Sequence, residues 1–126
     1  MNVEKLRSIV DMIENLEPGQ FDMGTWCNTR DKCGTVACLA GWTLLAEGEN
    51  PTRLALEIEN EEFDGDVTTV DWRIPLTAAA VLGLNRDQAE RLFFTHCWPD
   101  GFDGDNCSLE TLRERVEHFI ATDGAE

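Results

Sequence analysis

Positive charge is scarce in this chain. Ten Lys and Arg stand against 25 Asp and Glu, a formal net charge of −15, and Lys5 and Lys32 are its two lysines. Gripping a DNA or RNA backbone takes the opposite balance, because phosphate binding is driven by basic side chains that displace counterions. Direct nucleic-acid binding is therefore not expected, and anionic membrane surfaces are disfavoured on the same ground. Long apolar runs are missing too. No stretch approaches the ~20 residues that span a bilayer, and the opening MNVEKLRSIVDMIENL carries charges through its apolar pattern, unlike a secretory signal. The expectation is a cytoplasmic protein with no membrane partner. Phosphate-cradling loops, dinucleotide fingerprints and the close C-x2-C pairs common in structural zinc sites are also absent.

What is present is apolar content. Hydrophobic residues make up 42%, with four Trp and six Phe, too much for a disordered tail. A chain of 126 residues reads as one globular domain, 1–126, that buries roughly two-thirds of its unfolded surface. The excess of carboxylates then has three readings. It is a solvated surface that keeps the protein soluble and monomeric, or a surface that engages a basic partner, including a nucleic-acid-binding protein whose groove it would fill as a DNA mimic, or an adaptation to high salt.

The pattern predicts a mainly α fold of about five helices with one short β-hairpin in the middle. Val3, Leu6, Ile9, Val10, Ile13 and Leu16 follow helical spacing, and Pro18-Gly19 stops the run. Residues 20–34 read as a turn-rich connection anchored by Phe21, Met23 and Trp26. Thr35 is placed to cap a helix from Val36 to Ala46, which Gly48 and Asn50-Pro51 end. Alternation at Leu54, Leu56 and Ile58, then Val67, Val70 and Trp72 after an FDGD turn, suggests a hairpin over 53–72, with a short helix and loop as the alternative. Pro75 suits the first turn of a helix over 75–82 closed by Gly83, Asn85 caps the next from Arg86 to about Thr95, and Ser108 caps the last. In that last helix Leu109, Leu112, Val116, Phe119 and Ile120 form the apolar stripe. The tail, 121–126, is expected to fray.

The stretch CGTVACLAGWTLL, 33–45, concentrates sulfurs and small residues. Ala37, Ala40, Gly41 and Leu44 share one helical face where another backbone can approach closely, and an interior Gly41, at a cost of about 1 kcal/mol relative to Ala, marks a crossing point. The five cysteines are Cys27, Cys33, Cys38, Cys97 and Cys107. As structural thiols they act as small apolar residues, and the loop thiols Cys27 and Cys107 are expected to be alkylated first. Three other uses are weaker: a zinc site from Cys33, Cys38, His96 and Cys107, a Cys33–Cys38 disulfide, and a thiol nucleophile at Cys33 or Cys38 with His96 or His118 as base. The start KCGTVACLAGW is superficially like the cysteine-bearing helix start of papain-like and cell-wall-amidase hydrolases, but no run of strands follows to carry their histidine. A calcium loop over NEEFDGDVTTVD, with Asn60, Glu62, Asp64, Gly65, Thr68 and Asp71 near ligand positions, is a poor match, and acidic turns explain those residues more simply.

CGTVACLAGW, followed by AAAVLGLNRDQAERLF, resembles a group of small uncharacterised bacteriophage and actinobacterial proteins sharing a C-G-T-x-A-C-x-A-G block and a later L-G-L…A…LF block. The likeness covers residues 21–46 and 76–94. It implies a phage or phage-derived origin, for which small acidic proteins that act on host or competing-phage machinery are common. The expected function is non-catalytic binding of a host or phage protein, with a Cys33 hydrolase or a zinc-supported structural module as alternatives.

Overall fold

The computed structural model describes residues 1–17, 19–23, 28–31, 34–48, 67–104 and 107–126, and of 28–31, 34–36 and 67–73 the backbone alone. Among the described residues five α-helices carry the fold, as the periodicity predicts: α1 (Val3–Glu14), α2 (Leu39–Ala46), α3 (Val67–Leu82), α4 (Arg86–Phe93) and α5 (Leu109–Ala121). Two short antiparallel strands, β1 (Asn28–Asp31) and β2 (Gly34–Val36), precede α2.

The helices with strong local signals form where expected. In α1 the Asn2 side chain accepts the Lys5 amide at 3.0 Å, and Leu6, Ile9, Val10 and Ile13 face the core. Around α4, Asn85 and Gln88 cap each other's amides at 2.8 and 3.0 Å, a reciprocal pair that satisfies two donors at once. Ser108 takes the Thr111 amide at 3.1 Å to start α5. Gly83 closes α3 at φ +70, a backbone conformation glycine adopts without strain.

Four expectations are corrected. The central helix begins at Leu39, not Val36, and its cap is Cys38, which contributes no side-chain hydrogen bond. Thr35 lies in β2, whose pairing runs Asn28↔Val36 and Asp31↔Gly34, so part of the supposed turn-rich 20–34 connection is strand. Ala37 continues the extended path, exchanging hydrogen bonds with Gln20 and Asp22 at 3.1 Å. Residues 67–72, placed in a hairpin by their alternation, are helical, and α3 starts at Val67 with Pro75 inside it rather than at its first turn. The β-branched run Val67–Val70 disfavours helix by only tenths of a kcal/mol per residue, and the packing of α3 on α2, α4 and α1 outweighs it. The rest of the hairpin, 53–66, lies outside the described residues. Finally, α4 ends at Phe93, and Thr95–Cys97 form a separate 3-10 turn.

The core is one cluster. α2 is buried around its circumference from Leu39 to Leu44 and packs on α1 and α3. Trp42 donates its indole N–H to the Gln20 carbonyl at 2.9 Å, and buried Thr43 returns its hydroxyl to the Leu39 carbonyl at 2.8 Å. Gly41 lies inside this packing. α1 also packs along α5. The 121–126 tail, where fraying was expected, carries hydrogen bonds: the Gly124 amide reaches the Phe119 carbonyl at 2.8 Å, and Arg91 Nη1 reaches the Gly124 carbonyl at 3.0 Å.

Candidate functional site

The residues singled out for thiol or metal chemistry are scattered among what can be described. Cys38 is buried at the start of α2. His96 is exposed in the 3-10 turn, its ring 5.7 Å from Phe94. Cys107 precedes α5, half-buried, its Sγ 3.5 Å from the Ser108 carbonyl. Cys33 and Cys27 lie outside the described residues, as do Asn60, Glu62, Asp64 and Gly65, while Thr68 and Asp71 fall on the first turns of α3. Among the described residues no three His, Cys, Asp or Glu side chains come together to hold a metal ion. Burial, and then the charge of Asp103, pushes the Cys107 thiol up to about 11. Burial and Glu90 also raise Cys97. Both thiols are thereby poorer nucleophiles, since the thiolate is the reactive form.

Among the described residues the buried charged side chain is Arg115, which sequence reasoning passed over. It is fully buried in α5, with its guanidinium carbon 5.6, 5.6 and 5.8 Å from the rings of Trp98, Phe102 and Phe119. Nη2 donates to the Arg91 carbonyl at 2.9 Å, and the Trp98 indole donates to the Leu92 carbonyl at 3.0 Å. These are last-turn carbonyls of α4 that the helix cannot satisfy itself, and a cation is welcome at that end of a helix. Aromatic faces supply further attraction. Nε and Nη1 have no hydrogen-bond partner, and burial lowers the Arg115 pKa to about 10. A signal for this residue did exist: Arg115 falls between Leu112, Val116 and Phe119 at core-facing spacing. His118, the other candidate base, has its Nε2 buried, 3.4 Å from Glu126 Oε2 but in no hydrogen bond, and its ring 5.3 Å from Phe102.

Among the described residues the remaining Lys and Arg side chains are occupied. Arg7 donates from Nε and Nη2 to both Glu117 oxygens at 3.0 Å. Arg113 donates Nε to Glu14 at 2.7 Å and Nη2 to Asp11. Lys5 pairs with Glu47 at 2.6 Å, tying α1 to the end of α2. Arg86 is engaged within the chain as well. The hydrogen bonds that Arg113 donates to Glu14 and Asp11 raise its pKa, and the hydrogen bond from Arg7 lowers that of Glu117. By contrast, the exposed carboxylates of Glu4, Glu17, Glu110 and Glu114 have no ion pair among the described residues. Where the end of α1 meets the start of α5, an open groove of about 530 Å³ is lined by Glu14, Leu109, Glu110, Arg113 and Glu114. Leu109, assigned to the apolar stripe, stands 37% exposed because the first residue of α5 lies beyond the core that Leu112 enters.

No helix among the described residues is long and apolar enough to cross a membrane. Comparison with protein-family models, with curated proteins and with solved structures finds no match.

Proposed function

We propose that this chain is a small acidic, non-catalytic protein, phage-derived, that binds a host or phage protein through its carboxylate-rich surface in the cytoplasm of a bacterial host. One observation carries the reading: each Lys or Arg side chain that can be described is engaged within the chain, while the exposed carboxylates of Glu4, Glu17, Glu110 and Glu114 have no ion pair among the described residues. Such a field speeds encounter with a basic partner and repels nucleic acid. A protein that itself binds nucleic acid is one partner of the right sign. Further support comes from the sequence between residues 49 and 66, where seven acids accompany one base, Arg53. The phage origin rests on the C-G-T-x-A-C-x-A-G likeness.

The test is a pull-down from bacterial lysate with the full chain as bait, run at low and high salt. Recovery of one basic protein, lost as salt is raised, is the expected result. Recovery of nothing at any salt, together with thiol-dependent hydrolysis of an ester or amide probe, would replace this reading with the cysteine hydrolase.

A further inference from the structure

On the acidic surface, the groove between the last turn of α1 and the first turn of α5 combines carboxylates with an exposed apolar side chain, which the groove lined by Glu4, Lys5, Ile9 and Glu47 does not. Leu109 offers an apolar spot there, 37% exposed, lined by Glu14, Glu110, Arg113 and Glu114. The one base in the groove is already committed, since Arg113 holds Glu14 and Asp11. Glu110 and Glu114 are exposed and have no ion pair among the described residues. The carbonyl end of α1 beside Glu14 and the amide end of α5 beside Glu110 contribute partial charges of opposite sign, so the negative character of the groove rests on the Glu110 and Glu114 carboxylates. An acidic segment would be repelled here. A purely apolar one would strip water from carboxylates without replacing it.

We propose that this groove is the docking site for a short basic segment of a protein partner, in which an apolar side chain packs on Leu109 and flanking Lys or Arg side chains meet Glu110 and Glu114. This rests on the acidic-binding reading above and gives it a location and a partner chemistry. Surface charge pairs at a rim set encounter and register, while the desolvated apolar contact supplies most of the hold.

The test uses the isotope-labelled full chain and a short synthetic lysine–leucine peptide, with all-lysine and glutamate–leucine peptides as controls, followed by amide chemical shifts in NMR. Shifts should concentrate at Glu14, Leu109, Glu110 and Glu114, shrink with added salt, and be absent with the glutamate–leucine peptide. The double variant Glu110→Gln, Glu114→Gln should weaken binding roughly three- to tenfold, and Leu109→Ser should remove the preference for the lysine–leucine peptide over the all-lysine one. Binding of equal strength in the double variant, with shifts elsewhere on the chain, would overturn the groove and leave the acidic-binding reading standing. Shifts at these residues that grow with protein concentration alone would make a second copy of the chain the occupant and overturn the proposal. No salt-sensitive binding of any basic peptide would overturn both.

Discussion

Arg115 works by sealing the carbonyl end of α4 rather than by meeting a carboxylate. Its guanidinium holds the Arg91 carbonyl, and its stem and planar head fill space among Trp98, Phe102 and Phe119. Arg115→Ala should therefore leave a cavity and an orphaned carbonyl together, lowering stability by about 2–4 kcal/mol in a denaturant melt. Arg115→Met restores volume without the buried charge and should recover part of that loss. The native pKa of about 10 lies below the ordinary guanidinium value, so the cost of burying the charge is present at every pH below about 10 and eases as pH rises past it. Cys107 reverses the order of reactivity that its loop position suggests. With its thiol pushed from 9.0 to about 11, the thiolate fraction near neutral pH falls about a hundredfold. Iodoacetamide labelling resolved by mass should find Cys107 slow in the native state, with a rate that climbs until about pH 11. Fast labelling at neutral pH would mean that the burial and the Asp103 charge do not govern this thiol.

Between elements, two contacts set how the helices sit. α2 is buried on all sides from Leu39 to Leu44, and Gly41 contributes by having no side chain inside that packing. Gly41→Leu should overpack it and lower stability by roughly 1–3 kcal/mol, whereas a melt matching the wild type would show that the site has room. The second contact is the clasp between α1 and α5, Arg7 with Glu117 and Arg113 with Asp11 and Glu14. Glu117 is held below the ordinary 4.5, first by the Arg7 hydrogen bond, so the native state binds its proton less readily than the unfolded chain. That stabilisation is complete above about pH 4.5 and disappears as pH falls through the native pKa. The melting temperature of Glu117→Gln should lie below wild type at neutral pH and converge with it on acidification. Because the clasp is exposed, the gap should be small and should narrow with salt.

For the molecule as a whole, a net charge of −15 opposes compaction through self-repulsion. Raising NaCl from about 10 mM to about 500 mM should raise the melting temperature by roughly 2–5 °C, since screening of many like charges outweighs the weakening of a few surface pairs. A fall in calorimetry would place the ion pairs above the net charge. What the sequence by itself determined was whatever is written locally: α1 and α5 from apolar spacing, α4 from the Asn85–Gln88 caps, the end of α3 from Gly83, and the acidity of the surface from composition. These signals act over three or four residues, so no distant contact is needed to read them. The start of α2, the length of α3 and the partners of the described bases were decided only by tertiary structure. Thr35 and Val36 extend because β1 supplies a ladder for them, and Val67–Val70 turn helical against their own preference because α3 packs on α2. The same holds for the candidate groove. Leu109 and Leu112 carry the same side chain in the same stripe, yet one is exposed and the other fully buried. That difference depends on how far α1 reaches along α5, a long-range fact that no periodicity encodes.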